Sequence, residues 1–227
     1  MLWRRTPVRK LTKVEQPPRL QANCQTLTAA YVAAGGRGSS PWRTKEILDA
    51  LIAETFGKCA YCESKMSSVS FPHVEHIKPK SLFPELVVDW KNLTLACQVC
   101  NTNKLDYYDE IAPLLNPYED DPLQHLTIVG PTIEGRPGSS TGRRTVDKLK
   151  LRRIELIIQR AEKIEALHRL IEKWHTSIGG DKQIMAEVIL DELSDDREFV
   201  QTLRSYAATQ GFPSIDGNMM PSSAGHS

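Results

Sequence analysis

The sequence predicts an α+β chain, with a small mixed core near its middle held by cysteine knuckles and embedded in a mainly α-helical body. Two observations carry this. Two C-x-x-C pairs, Cys59/Cys62 and Cys97/Cys100, bracket a segment with its own polar pattern. From residue 145 onward, apolar residues recur at three- and four-residue spacing, the period of an amphipathic helix.

Residues 1–41 read as an extended basic arm, broken by Pro7, Pro17 and Pro18, followed by a short helix over 21–34. Gly35-Gly36 and Gly38-Ser39-Ser40-Pro41 then form a loop. Residues 42–110 form the mixed core with a leading helix. There Ile47, Leu48, Leu51, Ile52 and Phe56 share one helical face and Gly57 is the stop signal. Residues 111–142 are a proline-rich connection with a short strand expected at 126–129. Residues 143–210 form a helical domain. Its first helix carries one long stripe through Val146, Leu149, Ile154, Ile157, Ile158, Ala161, Ile164, Leu167, Ile171 and Trp174, and further helices fit 181–193 and 195–209. The small polar residues of 211–227 predict a disordered tail.

The chain has 227 residues, 40% hydrophobic and 25% charged, as expected of a globular protein of one domain and a helical extension. No apolar run approaches the roughly 20 residues that span a bilayer. No apolar stretch follows Arg4 and Arg5, so the start is not a secretory signal and a cytoplasmic protein is expected. The net charge of +1 does not single out a nucleic-acid binder. Basic residues cluster locally, however: Arg4, Arg5, Arg9, Lys10, Lys13 and Arg19 in the arm, then Arg143, Arg144, Lys148, Lys150, Arg152 and Arg153. Either cluster fits phosphate contact or a solvated face equally well.

Two C-x-x-C loops can point four thiolates at one tetrahedral ion, giving a closed structural zinc site with no position left for water. A redox C-x-x-C would not explain the second pair. Cys24 stands apart and reads as a small buried apolar residue.

The insert between the pairs holds Glu75-His76-Ile77-Lys78-Pro79-Lys80 and Asp89-Trp90-Lys91-Asn92-Leu93, and the second pair runs into Asn101 and Lys104. Cutting a phosphodiester needs a base, a cation for the leaving oxygen and donors for the phosphate; these residue types supply all three. Lys78, Lys80 and Lys104 are candidate phosphate contacts, with an ordinary surface lysine as the plain alternative. Trp90 reads as core, and His73 faces away from His76 in a regular strand. His125 reads as structural and Glu63 as a hydrogen-bonding residue of the first knuckle.

In this order the elements resemble the HNH endonuclease family: C-x-x-C, an acidic residue before His76, the Asn92-Leu93 pair, then C-x-x-C followed by Asn101. The resemblance implies a ββα-metal (His-Me finger) core with zinc knuckles. It implies that His76 is the general base and that Asn92 braces the loop that orients it. It further implies that Glu75 and Asn101 ligate a catalytic Mg2+ or Mn2+, with 5′-phosphate products. Glu75 stands where aspartate is more frequent, which leaves the ion's position less defined than the base.

A wider likeness adds Tyr61-Cys62-Glu63, Cys100-Asn101 with Lys104, and the Gly142, Thr145-Val146, Leu149 and Leu151 pattern. It is to the HNH proteins of Septu and related retron anti-phage systems. That resemblance implies nucleic acid, DNA foremost, as the target and an ABC-type ATPase as partner. The long C-terminal stripe would be part core and part docking face. Two alternatives stay open: a modification-dependent or other restriction-type nuclease, and a non-catalytic zinc module that only binds nucleic acid or a partner.

Overall fold

The computed structural model describes residues 10–66 and 72–213. Arg4, Arg5, Arg9 and the expected tail beyond residue 213 lie outside the described residues. The chain forms α1 (Pro18–Ala33), α2 (Lys45–Thr55), β1 (His73–His76), β2 (Leu93–Ala96), α3 (Gln98–Lys104) and α4 (Pro122–His125). The hairpin of β3 (Leu126–Val129) and β4 (Thr132–Gly135) comes next, then α5 (Ser140–Lys148), α6 (Ile154–Thr176), α7 (Gly179–Glu192) and α8 (Val200–Thr209). This is the mixed α+β architecture that the sequence predicts. Among the described residues no helix is long and apolar enough to cross a membrane.

β1 and β2 pair antiparallel, with Glu75 opposite Thr94 and His76 opposite Leu93, and α3 packs back against β1. That ββα unit is wrapped by the elements before it. α1 starts on Pro18, whose missing N–H costs nothing at the first helical position, and lies against the turn at Pro84–Leu86. α2 is capped by Thr44, whose hydroxyl accepts from the Ile47 N–H, and packs on β2.

The buried face of α2 differs from its apolar stripe. Ile47 and Leu51 are inside as expected, but Ile52 and Phe56 are exposed, and Glu54 and Thr55 complete the buried face. Glu54 is satisfied there by the Lys13 ammonium at 2.9 Å, the Val14 N–H and the Tyr118 hydroxyl. Lys13 also lies 4.2 Å from the Trp90 ring centroid, and the Trp90 indole donates to the Val14 carbonyl. Residues 11–17 are therefore tied to the core through Leu11, Lys13 and Pro17 rather than forming a free basic arm. The reason is a carboxylate that could not be buried without an ammonium.

The domain boundaries also shift. Leu20, Tyr31, Trp42, Leu93, Val146, Leu149, Leu151, Leu156 and Phe199 belong to one continuous core, so the residues expected to divide at 41 and 142 pack together. A second cluster, Leu167, Ile171, Ala186, Ile189, Leu203 and Phe212, is confined to α6, α7, α8 and the residues just after α8. Phe212, expected within the tail, is instead buried in this cluster at 4% exposure.

The expected single stripe from residue 146 breaks at residues 149–153. There Lys150 takes φ +50° and the turn drives Leu149 and Leu151 into the core. The break changes the helical phase. Ile154 and Ile158, expected inside, are exposed, while Leu156 and Arg160 are buried. β4 was not foreseen; its last residue, Gly135, lies so close to α5 that a Cβ would sit 2.5 Å from the Arg143 backbone.

Candidate functional site

The cysteines come together first. Each thiol is buried, and the four Sγ atoms lie within 4.8 Å of one another. A tetrahedral ion with bonds of about 2.3 Å sets sulfurs roughly 3.8 Å apart, and Cys62 and Cys97 stand at 3.9 Å. Local backbone explains the approach. In the first knuckle Glu63 adopts φ +64°, so the chain turns back and Cys59 N–H reaches the Ser64 carbonyl. In the second, Cys97 caps α3, its sulfur accepting from the Cys100 N–H at 3.4 Å. The Ala60 N–H donates to the Leu95 carbonyl, fixing the first knuckle to the hairpin.

Charge around the sulfurs fits a metal. A divalent ion with four thiolates leaves a double negative charge. Arg153 donates to Cys100 Sγ at 3.8 Å, so this member of the second basic cluster serves the cysteines. Arg160 is wholly buried with Nε and Nη2 unpartnered; burial lowers its pKa, and negative charge on Cys62, Glu63 and Cys100 acts against that cost. Arg152 is spent on Glu134 and Asp147. The four cysteines could thus hold one metal ion and are consistent with a zinc site.

Beside this knot lies the hairpin. His76 ends β1, and its imidazole is 6% exposed. Nε2 is 2.8 Å from the Val87 carbonyl oxygen, which can only accept, so Nε2 carries the proton and Nδ1 keeps its lone pair. The Trp42 ring stands edge-on to the imidazole, 5.0 Å between centroids. Burial lowers the imidazole pKa to about 4; the Val87 hydrogen bond acts against this, while Lys80 and Lys104 add to it.

Val87 belongs to the loop between the strands, and Asn92 closes that loop. Its Oδ1 accepts from the Lys78 N–H at 2.7 Å, and its Nδ2 donates to the carbonyls of Lys78 and Leu86 at 3.0 and 3.2 Å. Asn92 therefore holds the residue next to Val87. Asn92→Ala removes all three bonds. We expect it to lower the unfolding free energy by about 1–3 kcal/mol, read as a shifted urea midpoint. An unshifted midpoint would show that the loop holds itself.

Glu75 and His76 point to opposite faces of the hairpin, as neighbours in a strand must. Glu75 is buried and its Oε1 is 2.8 Å from Lys104 Nζ, which also donates to the His76 carbonyl at 2.7 Å. Burial pushes the Glu75 carboxyl up, and the Lys104 ammonium pulls it back. The three lysines expected at phosphate thus divide. Lys104 is 2% exposed and spent on Glu75, a correction to its expected surface role; Lys80 is half-buried beside His76, and Lys78 is exposed. Asn101 lies one turn before Lys104, and side chains three apart share a helix face.

The remaining candidates take structural places. His73 pairs with Ala96 at the far end of β1. Trp90 is core. His125 bonds Ser139, the cap of α5, at 2.9 Å. Glu63 accepts from the Gln201 N–H at the start of α8. Cys24 is half-buried and its thiol faces the Val88 carbonyl at 3.6 Å. Sequence reasoning missed the Val87 carbonyl, which carries no side-chain signal. It also gave no role to the Tyr61 hydroxyl, which is buried without a hydrogen-bond partner.

A ββα unit with histidine at the strand end and a four-cysteine knot is the architecture of the HNH nucleases, and the family model described as HNH endonuclease matches residues 59–106. The chain carries an HNH endonuclease domain over those residues. Beyond it, the chain is 30% identical over 161 residues to the Septu protein PtuB of Bacillus thuringiensis, covering 67% of this chain and 62% of that protein. It is 33% identical over 137 residues to the Septu protein PtuB of Bacillus mycoides (strain KBAB4), covering 47% of this chain and 46% of that one. The chain thus spans between half and two thirds, or less, of the curated relatives it matches.

Proposed function

We propose that this chain is a metal-dependent HNH endonuclease that hydrolyses phosphodiester bonds in nucleic acid, with DNA the expected target. The state of His76 carries the reading. A general base must be neutral, oriented and within reach of water. Nε2–H held by the Val87 carbonyl leaves Nδ1 as acceptor, and the lowered pKa, about 4, keeps the ring neutral near pH 7.

His76 Nδ1 takes a proton from water as its oxygen attacks phosphorus, and the bond from phosphorus to the 3′ oxygen breaks. Asn92 keeps the loop, and with it the imidazole, in place. Glu75 and Asn101 offer hard oxygen donors of the type that Mg2+ and Mn2+ prefer. When bound there, such an ion neutralises charge growing on the leaving oxygen. Lys104 balances the Glu75 charge until then. Lys80 and exposed Lys78 are placed to meet phosphate. The thiolate knot selects a soft-tolerant ion, zinc, and holds the hairpin to the body.

Similarity to the Septu proteins supports an anti-phage role; that role is proposed to be played in the cytoplasm beside an ABC-type ATPase. Ile154 and Ile158 on α6, and separately Ile184 and Val188 on α7, are exposed apolar residues that such a partner would cover. The test is incubation of supercoiled plasmid with the full chain, alone and with the ATPase. Nicking is expected with Mg2+ or Mn2+ and lost in EDTA. Equal nicking in EDTA, or none in any condition, would overturn the reading.

A further inference from the structure

We propose that a cleft beside Glu75 and Lys104 receives an unpaired nucleobase of the strand being cut, so that the substrate is single-stranded or locally unpaired nucleic acid. This rests on the nuclease reading above. The cleft is about 310 Å3 and has Tyr61, Lys78, Lys104, Tyr107 and Tyr108 in its wall. That is the small end of ligand clefts, roughly 300–1,000 Å3; a single ring system fits and a duplex does not. Lys104 is both in this wall and 2.8 Å from Glu75, and Ile77 in the same wall follows His76 in the chain, so the cleft lies one side chain away from the candidate hydrolytic residues.

Its chemistry suits a base. Two adjacent aromatic residues stand there, each with its own cations. Tyr108 packs edge-on to Phe83 at 4.6 Å, and the Lys78 ammonium lies 5.6 Å from the Phe83 centroid and 6.0 Å from that of Tyr108. The Tyr107 hydroxyl donates to the Ala112 carbonyl at 2.9 Å, which fixes the ring, and Lys148 and Arg144 lie 5.5 and 5.8 Å from its centroid. Fixed aromatic rings with neighbouring cations are how proteins bind single strands: bases stack, and the cations follow the backbone.

The cleft also contains carboxylates, and these decide which part of the nucleotide enters. Asp109 is occupied by the Ile111 and Ala112 N–H groups, and Asp120 by that of Asn116. Glu110 and Glu119 are exposed at the rim. They repel phosphate and accept from exocyclic amines. The backbone therefore stays with Lys78, Arg144 and Lys148 while the base enters. Tyr61 lines the same wall, with its hydroxyl buried and without a hydrogen-bond partner. A base inside a duplex has its faces and edges already engaged, so it enters only from an unpaired strand.

The experiment uses the full chain carrying His76→Ala, so that binding is read without cutting. Fluorescence anisotropy is measured with labelled oligomers of equal length: single-stranded DNA, single-stranded RNA, duplex DNA and an abasic strand. Binding of a base-bearing single strand is expected about tenfold tighter than the abasic strand or duplex. The DNA and RNA arms identify the sugar. Adding Tyr107→Leu and Tyr108→Leu, with an unchanged thermal midpoint, is expected to erase that preference and leave duplex affinity unaltered. Equal binding of abasic and base-bearing strands overturns the proposal and needs no further variant; so does a preference that survives the double substitution. Plasmid nicking by the wild-type chain is scored separately, so the nuclease reading can stand when this one fails.

Discussion

His76→Ala is expected to slow plasmid cutting by about 10^2–10^4-fold, the range that a positioned base supplies, with the thermal midpoint little changed. The ring is held by one hydrogen bond and an edge contact with Trp42, so its loss removes chemistry more than packing. The pH profile gives an independent readout. The base works only when neutral, and burial lowers its pKa to about 4. Activity is therefore expected to persist as pH falls through the ordinary imidazole range near 6.5 and to decline only toward pH 4. A variant that cuts as fast as wild type would remove His76 from the mechanism. An acid limb centred near 6.5 would mean that the ring is solvated when substrate is bound.

The largest effect on stability is expected at the cysteines. Cys97→Ser removes one sulfur from a buried set of four and the cap of α3 at the same time. Structural zinc contributes on the order of 10 kcal/mol to the folding of small metal sites, comparable with the whole stability of a domain. The variant is expected to lose bound zinc and the near-ultraviolet dichroism of buried Trp42 and Trp90, and to stop cutting. Chelation of the wild-type chain with a strong zinc ligand is expected to do the same. Cys24→Ser is the control: its thiol is half-buried at the edge of the core and faces the Val88 carbonyl, away from the four-cysteine set, so a small shift is expected. One zinc per chain, by elemental analysis of the purified protein, is the matching stoichiometry. A Cys97→Ser chain with unchanged dichroism and melting would show that the thiols are ordinary core.

Why some of this was legible in sequence and some was not follows from the physics of each element. The knuckles were legible because thiolates must occur in pairs at fixed spacing to share an ion. His76 and Asn92 were legible because a residue pattern marks them. The buried role of Glu54 was not: period analysis assigns acidic residues to the solvent, and only the distant Lys13 and Tyr118 make its burial possible. The break at residues 149–153 was hidden because leucines at 149 and 151 extend a helical stripe as well as they fill a turn. Lys104 was read as a surface cation because nothing local reveals that the hairpin places Glu75 beside it. Glu54 and Lys104 are polar groups whose partners lie far away in sequence, and Val87 acts through a backbone group with no side chain to read.

The first knuckle is completed by residues more than 130 positions further along the chain. Lys58 reaches the carbonyls of Asp195 and Arg197, the Lys65 N–H meets Glu198, and Glu63 receives the N–H groups of Phe199 and Gln201. These contacts join residues 133 to 139 positions apart. During synthesis the β1–β2 hairpin emerges more than a hundred residues before the helix that braces its knuckle. A ribosome-bound intermediate therefore carries Glu75 and His76 on a knuckle that still lacks these bracing contacts, so the final shape of the candidate site waits on a helix made much later.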